Sequence, residues 1–439
     1  MKISKYTTRL SVSDKSWLLY NAVTDRFVLY SKELDFGKQT DLDVLKKESE
    51  QFYEQLEKGG FVIPNDKDET EEVVKKGLEN CKNDKEYYLI INPTLNCNFR
   101  CWYCYENHSG RKKMRPETVE SVKRMIDRLC DTEHIEFLHL SFFGGEPLLY
   151  YIDTVKPIIG HVENLKKERG LGYSIHFTTN GYLITNQLIE DLKKVHANVS
   201  FQITLDGSKE EHDKVRRSAS GSGSYDRILA NIKKLLENGF HVGLRLNYSG
   251  KNVASMGQVQ KDIEPLSGYG KSLLTIDFQR VWQDEAVEST DELLLKTIAD
   301  FQSKFQFVGD FFNRVNSYRN PCYGDLENEC IVNYDGGIYK CTARDFTEEL
   351  CLGTLQNDGS ILWKHPEYAR QRLCNKFSKK VCQSCKIFPL CGAGCSQTAS
   401  EVKDACTLCK SEMEKDNIVL TRFYERIVKA ARKEESCMA

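Results

Sequence analysis

The chain of 439 residues is too long for one ordinary domain and long enough to bury a large core. Lys plus Arg (62) nearly cancels Asp plus Glu (64), so no field of one sign is available to draw in nucleic acid or an anionic membrane. Met1 to Tyr20 lacks an uninterrupted apolar core ending in small residues, and no stretch approaches the apolar length of a membrane span, so a cytoplasmic protein is expected.

Residues 1 to 84 mix short alternating runs, Trp17 to Tyr20 and Phe27 to Tyr30, with a charged helical pattern from Leu42 to Leu56. A charged stretch around Asp66 to Lys76 follows, which together predicts a small separate module and a linker. From Tyr87 onward, apolar β-rich runs alternate with longer amphipathic segments. The predicted strands are Tyr88 to Asn92, Phe137 to Phe143, Ser174 to Thr179, Val199 to Leu205, His241 to Asn247 and Leu273 to Arg280. Helical patterns follow each: Pro116 to Cys130, Ile152 to Lys167, Asn186 to Val195, Tyr225 to Glu237, Val253 to Ile263 and Asp291 to Phe305. Six successive βα units predict an α/β architecture with a parallel sheet. In parallel barrels the chemistry lies on loops after the strands, and here those loops carry Asn96-Cys97, Gly144-Gly145-Glu146, Asn180-Gly181 and Asp206-Gly207. At the C-terminus, Val419, Phe423, Ile427 and Ala431 are spaced as an amphipathic helix within Glu412 to Lys433, a packing element.

Seventeen cysteines do not suit a reducing compartment as free thiols or as a disulfide framework, so metal or cluster ligation is the leading account. Three sit from Cys97 to Cys104, eleven from Cys322 to Cys409, and none from Asp131 to Pro321, which implies two cysteine-built regions. The first is Cys97-x3-Cys101-x2-Cys104, directly after the first strand. Three thiolates on one short loop can hold three corners of a 4Fe-4S cube and leave the fourth iron open to chemistry. A structural zinc site closes with four ligands, and His108 lies only four residues beyond the last cysteine, short of finger spacing.

That spacing, with aromatic Tyr103 before the last cysteine, resembles the radical S-adenosylmethionine (SAM) superfamily. The resemblance implies that SAM chelates the open iron through its amino and carboxylate groups. One electron then cleaves the sulfonium to a 5'-deoxyadenosyl radical, which abstracts hydrogen from substrate. Phe142-Phe143-Gly144-Gly145-Glu146-Pro147 is similar to the GGE motif of that family: glycines admit a close backbone approach to the methionyl group, and an acceptor there can take hydrogen bonds from its ammonium. Thr178-Thr179-Asn180-Gly181 and Thr204-Leu205-Asp206-Gly207, with His212-Asp213 and Arg216, resemble strand-end motifs of peptide-modifying members. The SAM contacts so implied are Tyr103, Gly144, Gly145, Glu146, Asn180, Thr204 and Arg216. Ordinary turn chemistry competes for Asn180 and Asp206, and a solvated side chain for Arg216.

The second cysteine region reads Cys322-x13-Gly336-x4-Cys341, then Cys382-x2-Cys385-x5-Cys391-x3-Cys395, then Cys406, and resembles the SPASM extension with two auxiliary 4Fe-4S clusters. The resemblance assigns Cys322, Cys341 and Cys395 to one cluster, and Cys382, Cys385, Cys391 and Cys406, chosen over Cys409, to the other. The first lacks a fourth ligand: Cys330 is the nearest candidate, with a packing thiol or an open site as alternatives. Asn333 to Tyr339 reads as a hairpin turn that presents Cys341 at a strand end. Cys81, Cys130, Cys351, Cys374 and Cys437 match no motif and are read as buried or incidental.

The domains expected are therefore 1–84, a winged-helix-like leader-recognition module and linker; 85–308, a partial (β/α)6 TIM-like barrel; 309–410, the cysteine-rich SPASM domain; and 411–439, a C-terminal helix. Sulfatase-maturing relatives carry an aspartate just after the second motif cysteine, where this chain has Thr342. The run Cys341-Thr342-Ala343-Arg344-Asp345 and the N-terminal module instead resemble maturases of ribosomal peptides of the sactipeptide, ranthipeptide and streptide type. That implies three 4Fe-4S clusters, SAM, a precursor peptide whose leader adds as a β-strand, and a flavodoxin or ferredoxin donor. A sulfatase-maturing enzyme and a noncatalytic zinc or iron-sulfur protein are the alternatives.

Overall fold

The repeated β-rich runs form parallel strands because each alternates apolar residues, which a helix layer covers, with polar ones on the opposite face. The computed structural model describes residues 1–438 apart from 35, 37–40, 109, 111, 219–220, 270–271, 285–287, 311–316 and 404. They fall into two compact units: Asn83–Phe312 with Asn328–Tyr368, and Met1–Lys82 with Asn313–Glu327 and Ala369–Ala439.

In the unit that begins at Asn83, strands β1 (Glu86–Ile91), β2 (Phe137–Phe142), β3 (Gly172–Thr179), β4 (Asn198–Leu205), β5 (His241–Tyr248) and β6 (Leu274–Arg280) pair in chain order, every pair parallel. Helices α1 (Pro116–Asp131), α2 (Lys156–Arg169), α3 (Asn186–Lys193), α4 (Lys209–Val215), α5 (Tyr225–Glu237), α6 (Met256–Ile263) and α7 (Glu288–Lys304) form the crossovers. The core lies between sheet and helices. Phe142, Phe177 and Phe201 stack there from three successive strands with ring centroids 5.3 and 5.1 Å apart. The opposite face carries polar, half-buried side chains such as Ser141, Thr178, Gln202, Thr204 and Arg245, and so makes a hydrophilic inner wall.

The expected hairpin is present. Glu329–Val332 pairs with Gly337–Tyr339 through a turn in which Gly336 has φ +86°, a value that favours glycine. Its first strand, however, joins the barrel sheet in parallel beside β1, and Gly353–Leu355 and Ile361–Trp363 extend that sheet further. Backbone pairing thus places residues 328–368 with the barrel strands, whereas cysteine spacing had grouped all of 309–410 together.

In the other unit, Thr7–Ser11, Ser16–Asn21 and Arg26–Ser31 form an antiparallel sheet, followed by helices Leu42–Glu48, Glu50–Gly59 and Glu69–Glu79. The single helix read over Leu42 to Leu56 is broken at Ser49, and the charged stretch read as linker is largely a helix capped by Asp68. Its Val73 and Gly77 are buried, and any side chain at Gly77 would strike the ring of Phe377, about 300 residues later. The C-terminal helix Glu412–Met438 buries Ile418 and Val419, and Arg422 grips the Asp25 carboxylate at 2.7 and 2.6 Å. No helix among the described residues is long and apolar enough to cross a membrane.

Phe177 lies fully buried in the middle of the three-ring stack. Phe177→Ala is expected to lower unfolding free energy by about 3–5 kcal/mol, read from the urea midpoint at unchanged slope.

Candidate active site

The loop after β1 turns Cys97, Cys101 and Cys104 over the carboxyl end of the parallel strands. Cys104 N–H donates to Cys101 O (3.1 Å), and Phe99 N–H to Cys97 Sγ (3.4 Å). Phe99 is 1% exposed and pins the loop to the core. Burial pushes the Cys97 thiol up to about 12 and that of Cys104 up to about 11, and it raises Cys101; the Arg216 guanidinium opposes the rise at each. Among the described residues no three Cys, His, Asp or Glu side chains converge on one ion-sized point, which ligands of separate irons in a cube need not do.

Gly144 and Gly145 follow β2. A Cβ on Gly144 would strike the carbonyl oxygen of Thr94, and one on Gly145 that of Asn96, so these glycines let the β2 loop lie directly against the cysteine loop. Glu146 is fully buried, and its carboxylate accepts from Leu148 N–H (3.0 Å), Thr179 Oγ1 (2.7 Å) and Asn180 N–H (2.8 Å). It ties the end of β3 to that of β2, with its acceptor capacity engaged inside the chain. Asn180 in turn donates to Asn98 Oδ1 (2.7 Å) and approaches Cys97 Sγ at 3.8 Å, so it touches the cysteine loop itself.

Beneath the loop lies a polar node. The Tyr103 hydroxyl donates to Asp206, with both carboxylate oxygens at 2.9 Å, and accepts from Arg216 Nη1 and Asn247 Nδ2, each at 3.0 Å. Arg216 Nε stands 3.4 Å from Asp206, and both side chains are buried. Arg216 is therefore the internal counter-charge of Asp206. Burial raises Asp206 above the ordinary carboxylate range against the pull of Arg216, Tyr103 and Asn247. His212 Nδ1 accepts from Asp206 N–H (3.2 Å), its Nε2 meets Ser224 Oγ (3.0 Å), and Ser224 Oγ donates to Arg216 O (2.6 Å). Burial holds His212 well below its usual range and so neutral, as that relay requires. Asp213 completes the unit by accepting from Ser224 and Tyr225 N–H at the start of α5 (2.7 and 3.0 Å). The Asp206, His212-Asp213 and Arg216 pattern is one hydrogen-bonded framework. Thr204, on the inner face of β4, pairs in register with Arg245 of β5.

Sequence reasoning passed over Arg245 and Asn247. Their signal was the alternation of Val242, Leu244 and Leu246 with Gly243, Arg245 and Asn247, which marks the latter as inner-wall positions. Cys330 is fully buried in the barrel core and hydrogen-bonded to Tyr87, and burial lifts its thiol to about 12: it packs. Cys382, Cys385, Cys391 and Cys406 share one electrostatic neighbourhood in their unit, while Cys409 stays exposed with φ +50°. Cys322 and Cys395 belong to that unit as well, and Cys341 to the barrel unit. Cys437 lies outside the described side chains.

The Radical SAM superfamily model matches residues 91–263. The uncharacterized protein sll1766 of Synechocystis is 30% identical over 341 residues, 70% of this chain and 82% of that one. A cysteine-type anaerobic sulfatase-maturating enzyme of Clostridium novyi is 24% identical over 343 residues, 71% and 88%. Among solved structures, anSMEcpe with bound AdoMet and Cp18Cys peptide superposes with TM-score 0.60 at 18% identity, covering 79% of this chain and 99% of that one. Streptococcus suis SuiB bound to its precursor peptide SuiA gives TM-score 0.53 at 15% identity, covering 93% and 100%. The chain belongs to the radical SAM superfamily: it is an enzyme whose cofactors are SAM and a 4Fe-4S cluster.

Asp206→Ala strands the buried Arg216 charge. An expected loss of about 3–5 kcal/mol in chemical denaturation is to be largely recovered by combining Asp206→Leu with Arg216→Met.

Proposed function

We propose that this enzyme is a peptide maturase that closes an intramolecular cross-link in a ribosomally made precursor, with Cys97, Cys101 and Cys104 holding the SAM cluster. The single observation that carries this reading is the three-thiol loop, tied through the Tyr103 hydroxyl to Asp206, Arg216 and Asn247 beside a polar inner wall. When bound, SAM and its cluster supply a 5'-deoxyadenosyl radical able to take a hydrogen atom from a peptide carbon. The chain's own residues do the rest. Glu146 and Asn180 fix the β2 and β3 ends against the cysteine loop, Arg216 pairs with Asp206 to seat Tyr103 of that loop, and the inner wall offers polar contacts to an extended peptide. Closing the link removes two hydrogens: one leaves as the abstracted atom, the other as a proton with one electron. Auxiliary clusters, on Cys382, Cys385, Cys391 and Cys406 and on Cys322, Cys341 and Cys395, would accept that electron. A corner left free on the latter set would suit thioether closure, while carbon-carbon closure would need the auxiliary clusters mainly as electron acceptors.

The three-stranded sheet of residues 7–31 supports leader capture by strand addition. Arg26–Ser31 is an edge strand, and its Leu29 is 54% exposed. Lys32 N–H bonds to Lys15 O, which sets the pairing so that the amides of Phe27, Leu29 and Ser31 face outward. Thr342, in place of the sulfatase-maturing aspartate, weighs against the alternative reading.

Anaerobic reconstitution is expected to give about twelve irons per chain, three cubes of four, with SAM cleavage under reduction. The Cys97→Ala/Cys101→Ala/Cys104→Ala variant should keep about eight and cleave nothing. Zinc in place of iron would sink the reading. Co-expression with a ribosomal precursor peptide that the enzyme modifies should give a product two hydrogens lighter by mass spectrometry. Leu29→Pro, which removes only an outward amide, is expected to weaken leader binding about tenfold in fluorescence titration while iron content holds.

A further inference from the structure

Arg245 is the one strongly basic side chain on the inner face of β5, where Gly243 and Asn247 are its inward neighbours and Leu244 and Leu246 face the core. Its Nε donates to Asn247 Oδ1 at 2.7 Å, which holds the guanidinium in one orientation. The terminal nitrogens Nη1 and Nη2 have no partner among the described residues, and no carboxylate lies within ion-pair distance. Asp206 is engaged by Arg216 and Tyr103. Asp277, the register neighbour on β6, accepts instead from Gln279 Nε2 (2.6 Å). The other charged or titratable groups around Arg245 are Tyr103, Tyr105 and the like-charged Arg216, and burial disfavours its charged form. Asp206 is the carboxylate whose charge reaches Arg245, and it is shared with Arg216; a half-buried guanidinium so placed is costly unless a further anion joins it.

We infer that Arg245 receives a carboxylate of the peptide substrate, an Asp or Glu side chain or a chain terminus, end-on through Nη1 and Nη2. This rests on the peptide-maturase reading. It also narrows the substrate to peptides with an acidic group beside the carbon that loses hydrogen. The carboxylate is the peptide's rather than the cofactor's. Arg216 is the guanidinium that lowers Cys97, Cys101 and Cys104 alike. Two parallel N–H bonds from a preoriented fork also suit a carboxylate better than a backbone carbonyl.

The test uses reconstituted holoenzyme with SAM and two probes, N-acetylglutamate α-amide and N-acetylglutamine α-amide, whose binding is followed by ligand-observed NMR. Wild type is expected to bind the acid about tenfold more tightly than the amide. Arg245→Gln is expected to lose that preference, and Arg245→Lys to keep part of it, since it retains charge but not the fork. Iron content and the SAM-induced change in the reduced cluster's EPR signal should be those of wild type in both variants. Equal binding of the two probes to wild type, or a preference that survives in Arg245→Gln, would overturn the inference. So would loss of the SAM-induced EPR change in Arg245→Gln, which would make Arg245 a cofactor residue. The maturase reading fails separately, through the absence of the two-hydrogen mass loss with wild-type enzyme.

Discussion

The Tyr103 hydroxyl, held by Asp206, Arg216 and Asn247, is the constraint on which the rest of the site depends. Buried Phe99 anchors the first half of the three-cysteine loop, and Tyr103 is what fixes the second half. Seating one aromatic side chain of that loop between β4 and β5 converts the barrel's rigidity into a fixed position for the thiols on either side of it. The same node needs a buried ion pair, and buried pairs gain little net stability over apolar replacements. Its value is in position, since Asp206 and Arg216 can satisfy one another only when the end of β4, the end of α4 and the cysteine loop are all in register.

Around that node the chain repeats one device: each strand end reaches sideways to the next. Glu146 from the β2 loop bonds to Thr179 and Asn180 of β3; Asn180 reaches back to Asn98; Arg245 and Asn247 of β5 join the Asp206 node. The rim is thus a belt of hydrogen bonds, most of them between side chains, that engages many of its polar groups within the protein. Among these rim groups the free end of Arg245 stands out. The belt also explains why glycine is required at 144 and 145: any side chain there would separate the second strand loop from the first.

Much of this was legible in the amino-acid order. The strands and crossover helices of the barrel follow from local periodicity, and their bounds agree with the structure to within a few residues. The cysteine spacing marked the loop, and strand-end motifs marked the rim, because turns after parallel strands use a restricted set of residues. The roles of individual rim residues were less legible. Glu146 read as an acceptor for a ligand and is engaged by the chain itself; Arg216 could have been solvated and is buried against Asp206. A single position carries no record of which distant side chain will neutralise it.

The sequence by itself determined the βα repeat, the three-thiol loop and its place at a strand end, since periodicity and spacing are local properties. Tertiary structure alone decided which way Cys330 faces, that residues 328–332 join the barrel sheet, that the charged segment after Asp68 is a packed helix, and that the terminal nitrogens of Arg245 are left without a hydrogen-bond partner among the described residues. Each of those depends on a contact between residues far apart in the chain, and such a contact exists only once backbone pairing and core packing have chosen the neighbours.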